Sequence, residues 1–390
     1  MRILHTSDWH IGKRLEGVSL LEDQAETLEG FVALAADLKP DVVVIAGDLY
    51  DRSVPPHDAV TLLDDVLQRL VLGLGLPVVA IAGNHDSAER LGFASRLLES
   101  SGLWLAGDPL DGRHLTLHDA HGAVDIVPLP FATPEALRSA LTERDEAAEL
   151  QGFAAAMERQ VQHALAALEP GRRRVAVAHA FVRGGAPSES ERALQIGGTG
   201  DVPASVFDAF DYVALGHLHR PQQIDAERRG DAVRYSGSLL PYSFSEAEHA
   251  NSATLATLGA PGSLQVQTHR LPQRRRLRKV SGTMAELLAQ GAAEPSARQQ
   301  DYIWAELLDP GLVHEAMPRL RAVYPNALKI TRPRYDLGGM EASRHDHRIA
   351  DPVEIFAEFW EAVGHPAALD EDQREVVVDA VRAAGGEATR

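Results

Sequence analysis

Side chains that can bind metal ions recur at the ends of apolar segments in the first part of this chain. They form five clusters, in the order D-x-H, G-D-x-x-D, G-N-H-D, a single His and G-H-x-H. Carboxylate, amide and imidazole groups are ligands of divalent first-row metals, so the clusters predict a metal site. Each cluster alone also fits ordinary turn or buried polar chemistry, but the recurrence of all five does not. The residues are Asp8 and His10; Asp48 and Asp51; Asn84, His85 and Asp86; His179; and His217 and His219.

Seven of these side chains form a donor set that is too large for one tetrahedral ion and suits two. A pair of ions about 3.5–4 Å apart can hold a phosphodiester, neutralise its charge and lower the pKa of a shared water to near neutrality. Asp48 is the natural bridging ligand because a carboxylate has two oxygens. The set therefore predicts phosphoester hydrolysis. Its members are Asp8, His10, Asp48, Asn84, His179, His217 and His219.

Other catalytic chemistries lack the residues they need. The chain has no cysteine, which excludes thiol nucleophiles, zinc-thiolate sites and iron–sulfur clusters. No G-x-x-x-x-G-K-[ST] segment occurs, which excludes ATP hydrolysis by a P-loop. The glycines at 197, 198 and 200 lack the lysine of a phosphate-binding loop, so we interpret this segment as an ordinary loop.

The apolar segments before the clusters predict buried parallel strands. In an open α/β sheet the carboxyl ends of such strands share one edge, where all five clusters can meet. Helical periodicity over residues 22–38, 58–72 and 87–98 predicts a β-α-β-α-β opening. Short strands at 115–117 and 124–127 predict a second sheet stacked on the first. One helix over 135–168 and further strands at 173–179, 232–235, 253–258 and 264–269 are predicted to follow.

The net charge of −18 argues against nucleic-acid binding, because phosphate backbones prefer basic surfaces. Bound metals would neutralise several carboxylates, and basic runs occur at 172–174 and 274–279, although those runs fit solvated loops equally well. Lys13, Arg14 and Arg52 follow metal clusters and should lie at the rim of the site. They are our candidates for contacts with a nucleic-acid backbone.

A length of 390 residues with 45% apolar content allows two or three domains. We expect an α/β domain over 1–272, a small α/β unit over 273–335, an aperiodic linker over 336–350 and two amphipathic helices over 351–390. Those helices either dock on the chain itself or bind a partner. In the linker, His345-Asp346-His347 follows no strand, so we interpret it as a solvated loop. With no leader-like or membrane-length apolar segment, we expect a cytoplasmic protein.

The ordered clusters resemble the calcineurin-like metallophosphoesterase superfamily. Residues 188–192 (SESER), 235–238 (YSGS) and 243–246 (SFSE) further resemble the SbcD family, the nuclease subunits of bacterial SbcCD double-strand-break complexes. The resemblance implies a four-layer α/β/β/α sandwich with a capping domain over 273–335. It also implies that the C-terminal helices bind the SMC-like ATPase SbcC, and that the chain forms a homodimer within a heterotetramer through helices near 59–72 and 88–98.

The resemblance divides the ligands between two Mn²⁺ ions, with Mg²⁺, Fe²⁺ or Zn²⁺ as alternatives. One ion would take Asp8, His10, Asp48 and His219, and the other Asp48, Asn84, His179 and His217. His85 would contact the scissile phosphate and protonate the leaving 3′ oxygen, although it could instead only pack behind the ligands. Asp51 and Asp86 would lie behind the ligands and orient imidazole rings.

The implied activity is that of a Mn²⁺-dependent DNA nuclease, a double-strand exonuclease and a single-strand and hairpin endonuclease. It would process DNA ends in repair, recombination and replication at the nucleoid, under the control of SbcC. The same site could instead serve a small-molecule or cyclic-nucleotide phosphoesterase, but such an enzyme needs neither a cap nor partner helices. A non-catalytic scaffold between DNA and ATPase is the third alternative, and it has no need of seven converging ligands and His85.

Overall fold

The computed structural model describes residues 1–142, 150–191, 200–332 and 369–385, together with positions 353, 356, 357 and 360. The chain divides into two compact units, Met1–Leu277 and Arg278–Arg390. Our predicted boundary after residue 272 lies five residues before this division, and the strand Leu277–Gly282 begins within the basic run 274–279. The predicted linker 336–350, with His345-Asp346-His347, lies outside the described residues, as do Arg192 and the glycines at 197 and 198.

The first six-stranded sheet of unit 1 has the order β14-β13-β1-β4-β5-β6. Four neighbours, β1, β4, β5 and β6, run parallel, while β13 pairs antiparallel with β1 and with β14. The carboxyl ends of β1, β4 and β5 therefore share one edge, where the first three metal clusters follow. The strands are β1 (Arg2–Thr6), β4 (Val42–Ile45), β5 (Val78–Ile81), β6 (Leu103–Ala106), β13 (Ser252–Leu258) and β14 (Leu264–Arg270).

The second six-stranded sheet has the order β11-β12-β10-β9-β8-β7. Here β8, β9, β10 and β12 run parallel, so that the last two metal clusters follow adjacent strands, β9 and β10. The strands are β7 (Leu115–Asp119), β8 (Gly122–Leu129), β9 (Arg173–His179), β10 (Tyr212–Gly216), β11 (Gln222–Gln223) and β12 (Val233–Tyr235); a hairpin of β2 (Arg14–Leu15) and β3 (Val18–Ser19) stands apart.

The two sheets pack face to face and are covered by helices on their outer faces. Val42 and Val44 of the first sheet share one buried cluster with Val175 and Val177 of the second. On the outer face of the second sheet, Val213 and Leu215 pack with helix α6 (Gly152–Ala166). The residues on the outer face of the first sheet, such as Val43, are also fully buried. Because this face is shielded from solvent, it must be covered, and the crossover helices α1 (Leu21–Leu38) and α2 (His57–Gln68) cover it. The predicted α/β/β/α sandwich is confirmed.

Two of the predicted helices are interrupted. Residues 87–98 form two short helices, α3 (Ala88–Leu91) and α4 (Ser95–Leu98), because Gly92 is a poor helix former and Ala94 adopts a left-handed φ of +57°. Within residues 135–168 the structure has α5 (Pro134–Thr142) and α6, with 143–149 outside the described residues. The break before α6 lies at Gln151, which is extended, and α6 begins at Gly152 with a φ of +82°. Helix α2 agrees with its prediction up to Gln68 and continues as a π-helical turn over Arg69–Gly73.

Unit 2 contains a three-stranded sheet of order β15-β16-β17 with helices on one face. Leu287, Ile303 and Leu320 are among its fully buried side chains. The opposite face carries Trp304, whose ring centroid lies 4.2 Å from the Lys279 ammonium and 4.3 Å from that of Lys329. The remaining elements are β15 (Leu277–Gly282), β16 (Tyr302–Leu307), β17 (Ala327–Thr331), α8 (Met284–Ala293), α9 (Ser296–Gln299), α10 (Ala316–Arg321) and α11 (Glu371–Gly385), with α7 (Ala226–Arg229) in unit 1.

Ion pairs within the chain engage both basic runs. Arg173 is buried and pairs with Asp119 at 2.5 Å, and its neighbour Arg172 pairs with Asp125 at 3.3 Å. In the second run, the Arg275 guanidinium lies 2.7 Å from the Asp23 carboxylate of α1. These arginines therefore stabilise the fold, and neither the solvated-loop interpretation nor a free basic patch describes them.

Candidate metal centre

Unusual backbone conformations aim the ligands of the first two clusters. Asp8, His10 and Asp48 have φ values of +52°, +44° and +51°, a left-handed region that non-glycine residues seldom adopt. Such strain persists where the surrounding structure holds it, and it is common at functional sites. Gly47 is required beside Asp48, because it has a φ of +90° and a Cβ there would lie 2.3 Å from Nδ1 of His179.

Asp48 lies at the centre of the converging side chains. Its Oδ2 is 3.6 Å from Nε2 of His10 on one side and 3.5 Å from Nε2 of His179 on the other. Its Oδ1 accepts a hydrogen bond from the backbone N–H of His85 at 2.8 Å. The carboxylate is therefore placed to reach two neighbouring ions.

Asp8, His10 and His219 form the group on one side of Asp48. The Nε2 atoms of His10 and His219 lie only 3.1 Å apart. The Asp8 carboxylate accepts hydrogen bonds from the backbone N–H of His217, at 3.0 and 3.1 Å, and from the Ser7 hydroxyl. Burial raises the pKa of Asp8 to about 7, and a divalent cation beside it would favour the ionised form.

Asn84, His179 and His217 form the group on the other side. His179 donates its Nδ1–H to the Ala46 carbonyl at 2.8 Å, so its Nε2 carries the lone pair. That Nε2 lies 2.9 Å from Oδ1 of Asn84, which also lies 3.1 Å from Nδ1 of His217. Burial lowers the pKa values of His10, His179 and His217, and so keeps these rings neutral, as metal ligands must be.

The spacing and chemistry of these donors fit divalent metal ions. Two acceptors such as His179 Nε2 and Asn84 Oδ1 repel each other at 2.9 Å unless a cation attracts both. Ligands at right angles around an ion with bonds near 2.1 Å would lie about 3 Å apart. Three donor pairs here do so: His10 with His219, Asn84 with His179, and Asn84 with His217. The structure brings all seven predicted ligands together at the carboxyl ends of strands from both sheets.

His85 lies next to the first group. Its Nδ1 donates a hydrogen bond to the Asp51 carbonyl at 2.9 Å, and its ring centroid is 4.6 Å from that of His10. The ring is 5% exposed, at the edge of the ligand cluster. His85 is therefore within reach of a group bound between the ligands and solvent.

The comparison with family models identifies the class of this site. A model for the calcineurin-like phosphoesterases matches residues 1–221, a range that contains all five clusters. The chain belongs to this family. The predicted metal-dependent phosphoesterase is thereby confirmed; enzymes of this family depend on two metal ions, and the described residues include candidate groups for binding them. A second model, named SbcD_C and described as a type 5 capsule protein repressor C-terminal domain, matches residues 273–363 and bears out the resemblance to the SbcD family.

Two solved structures are similar to this phosphoesterase. The protein TT1561 of Thermus thermophilus is 16% identical, covers 68% of this chain and 98% of its own length, and has a TM-score of 0.39. A dimetal phosphatase from Danio rerio is 15% identical, covers 69% of this chain and 96% of its own, and has a TM-score of 0.42. Within the described residues, no helix has the length and apolar character that crossing a membrane requires.

Asp51 and Asp86 make different contacts. Oδ1 of Asp51 is 3.7 Å from Nδ1 of His10, beyond hydrogen-bond distance, and its part in orienting that ring stays a prediction. The Asp86 carboxylate instead accepts hydrogen bonds from the backbone N–H groups of Leu49 at 3.1 Å, Tyr50 at 3.0 Å and Gly83 at 2.9 Å. The Asp86 carboxylate thus turns towards backbone amides and ties two ligand-bearing loops together, and its predicted part in orienting an imidazole stays a prediction.

Sequence analysis missed the residues that hold His219. Nδ1 of His219 lies 3.1 Å from Oε1 of Glu246 and 2.7 Å from the Ser190 hydroxyl, and its backbone N–H donates to Glu191 at 2.6 Å. Burial acts to lower the pKa of His219, but the hydrogen bond and charge of Glu246 outweigh it and the pKa is raised. The signal was present in the SESER and SFSE segments, which carry the family resemblance but had been given no part in the site.

The predicted rim cations are in three different settings. Lys13 forms an ion pair with Asp51, with the ammonium 2.8 Å from Oδ1. Arg14 is exposed and donates to the Gly17 carbonyl. The Arg52 side chain is 70% exposed, with its Nε 3.7 Å from Oδ2 of Asp51. Only part of the predicted positive charge therefore faces solvent beside the site.

Proposed function

We propose that this chain is a Mn²⁺-dependent DNA nuclease, the SbcD-type subunit of an SbcCD-like complex. The observation that carries the proposal is the pair of close acceptor contacts around Asp48. His10 and His219 meet at 3.1 Å on one side, and Asn84 and His179 at 2.9 Å on the other. A DNA-processing enzyme of this kind would act at the nucleoid, in the cytoplasm.

We assign the ligands to two ions that share Asp48. One ion takes Asp8, His10, Asp48 and His219, and the other takes Asp48, Asn84, His179 and His217. When bound, the ions neutralise phosphate charge and supply an activated water for attack on phosphorus. The geometry of the donors favours no single divalent metal, and Mg²⁺, Fe²⁺ and Zn²⁺ are the alternatives to Mn²⁺.

We assign His85 the contact with the scissile phosphate and the protonation of the leaving 3′ oxygen. Its Nδ1–H is held on the Asp51 carbonyl, so Nε2 is the atom that exchanges a proton with the substrate. We further propose that Arg14 and Arg52 contact the DNA backbone at the rim, and that Lys13 does so when DNA competes for its pairing with Asp51.

The part of the chain beyond the phosphoesterase match supports a macromolecular substrate. We propose that residues 1–272 form the nuclease domain, 273–335 a capping domain, 336–350 a linker and 351–390 helices that bind the SMC-like ATPase. Helix α11 exposes Val376, with 69% of its surface in solvent, which is suited to such a partner. The main alternatives are a small-molecule or cyclic-nucleotide phosphoesterase and a non-catalytic scaffold.

We also propose a homodimer through an apolar surface on unit 1. Leu72, Phe93 and Leu97 are 72%, 81% and 77% exposed, and a groove of about 480 Å³ beside them is lined by apolar side chains that include Leu63 and Leu67. Large exposed apolar patches mark interaction sites, and this one lies in the two regions for which the family resemblance implies dimerisation.

The test is cleavage of labelled single-stranded, hairpin and blunt duplex DNA by the purified chain in Mn²⁺. p-Nitrophenyl phosphate, a p-nitrophenyl diester and cyclic nucleotides serve as competing substrate classes. The variants are Asp48→Ala and His85→Ala, with His118→Ala, an exposed histidine on β7, as the matched control. Metal content is measured for each variant.

We expect DNA cleavage by the parent chain and by His118→Ala, and none by the other two variants. His85→Ala should still bind two ions, whereas Asp48→Ala should not. Turnover of small esters without DNA cleavage would support the small-molecule alternative, and an enzyme inactive even with its ATPase partner would support the scaffold. Loss of metal in His85→Ala would refute the part assigned to that residue.

A further inference from the structure

We propose that Glu246 and Glu191, together with Ser190, are positioning residues that set the metal affinity of one of the two positions, the one that contains His219. The proposal rests on the ligand assignment above and adds to it an asymmetry between the two ions. These three residues belong to the SESER and SFSE segments, which have no part in the ligand set itself.

Glu246 holds the imidazole ring of His219. Its carboxylate is fully buried, with Oε1 3.1 Å from Nδ1 of His219, and the Ser190 hydroxyl hydrogen-bonds with both groups. The other oxygen, Oε2, accepts from the backbone N–H of Tyr242 at 2.7 Å and so cannot swing away. With Nδ1–H donated to a carboxylate, Nε2 of His219 carries the lone pair and faces Nε2 of His10.

Glu191 holds the backbone of the same residue. Its Oε1 accepts from the backbone N–H of His219 at 2.6 Å, and its Oε2 accepts from that of Ser188 at 2.6 Å. The ring and the main chain of His219 are thus fixed by two carboxylates from two separate segments. Two negative charges are thereby taken from solvent, since Glu246 is buried and Glu191 is half-buried. Such charges need a nearby cation for compensation.

In the part of the chain that the structure describes, no carboxylate accepts from an imidazole N–H at the other position, although the Asp8 carboxylate accepts from the backbone N–H of His217. His179 donates its Nδ1–H to the Ala46 carbonyl, and His217 directs its Nδ1 towards the Asn84 amide. An imidazole whose N–H is bound by a carboxylate donates its electron pair to a metal ion more strongly than one whose N–H is bound by a backbone carbonyl. The carboxylate also adds negative charge near the ion. Loss of the Glu246 charge should therefore weaken one position and leave the other nearly unchanged.

The experiment is a Mn²⁺ titration of the metal-free full-length chain. Calorimetry measures the affinity of each binding step, and electron paramagnetic resonance distinguishes isolated from paired Mn²⁺. The variants are Glu246→Gln, which keeps the size and part of the hydrogen bonding, and Ser190→Ala. Glu248→Gln is the matched control, since it removes an exposed carboxylate two residues from Glu246. Thermal unfolding of each metal-free variant reports on the fold separately.

We expect Glu246→Gln to weaken one binding step by about 10–100-fold and to change the other by less than about threefold, a selectivity that follows from a partner that touches only one ligand. The paired Mn²⁺ signal should then appear only at higher metal concentration, and Ser190→Ala should shift it in the same direction by less. Glu248→Gln should titrate like the parent chain.

Three results would overturn the inference: unchanged affinities in Glu246→Gln, equal weakening of both steps, or a loss confined to the thermal stability of the metal-free protein. The last two would mean that Glu246 acts only on the fold. A parent chain that binds fewer than two ions would instead refute the ligand assignment, so failure of the proposed function is read from the parent protein and failure of this inference from the variant.

Discussion

The replacement Gly47→Ala offers a test of how backbone geometry builds the metal centre. Gly47 precedes Asp48, has a φ of +90°, and leaves room for the ring of His179, whose Nδ1 and Cγ would lie 2.3 and 2.8 Å from a new Cβ. Both distances are far below van der Waals contact. The ring must move away, and the hydrogen bond from His179 to the Ala46 carbonyl must lengthen or break.

The free energy of unfolding that Gly47→Ala loses has two contributions, and a second variant, Gly17→Ala, separates them. A left-handed conformation costs an alanine about 1–2 kcal/mol, and forcing an extra group into a packed site costs about 1–3 kcal/mol more. Gly17 has a similar φ of +83° but nothing within 4 Å of the place a Cβ would take, so Gly17→Ala should incur only the first part. We therefore expect losses of unfolding free energy of about 2–5 kcal/mol for Gly47→Ala and about 1–2 kcal/mol for Gly17→Ala.

The assays are urea unfolding of the metal-free proteins and Mn²⁺ titration. Gly17→Ala should bind two ions as the parent chain does, and Gly47→Ala should lose the ion assigned to Asn84, His179 and His217. If the two variants lose the same free energy and both bind two ions, the contact between residue 47 and His179 does not shape the site, and the reasoning is wrong.

Four further predictions follow from other parts of the structure. Adding Mn²⁺ at 100 times its Kd should raise the unfolding free energy by about 2.7 kcal/mol per site, and a chelator should reverse the gain in thermal denaturation. A double variant with Lys in place of Phe93 and Leu97 should be monomeric in light scattering. Leu312→Lys, at a residue 86% exposed in unit 2, should keep the mass of the parent chain. Equal masses for the parent chain, the double variant and Leu312→Lys would contradict the proposed dimer surface. Asp86→Asn should lower the free energy of unfolding by about 1–3 kcal/mol in urea, because the Asp86 carboxylate accepts three backbone hydrogen bonds that join two loops. A decrease no larger than that of an exposed control, Asp37→Asn, would mean that these hydrogen bonds do not stabilise the loops. The hydrogen bond from Arg173 holds the pKa of Asp119 well below its ordinary value of about 3.9. The ionised pair therefore stabilises the fold above that pH, and this stabilisation disappears as the pH falls through the lower pKa of the native state. Asp119→Asn should accordingly lower the unfolding free energy at pH 7, and its difference from the parent chain should shrink in acid unfolding below about pH 3.

The sequence by itself determined the chemistry and the class of fold. The identities of Asp8, Asp48, Asn84 and the four histidine ligands, each after an apolar run, were enough to predict a two-metal phosphoesterase site on an α/β sandwich. This worked because the periodicity of apolar residues reports on local burial, and because the carboxyl ends of parallel strands share an edge within each sheet. Both properties can be read over a few neighbouring residues. We expected one open sheet, however, and the five clusters follow strands of two sheets, which meet through their packing.

Only the tertiary structure decided which groups meet across long stretches of chain. The sheet order puts β13 beside β1, and Glu246 reaches His219 through a segment whose spacing carries no sign of that contact. The pairing of Lys13 with Asp51 and the turn of Asp86 towards backbone amides likewise depend on loop conformations with positive φ, which local propensities do not encode. Contacts of this kind are selected by the packing of the whole unit, because only there do distant carboxylates find the donors that compensate for their burial.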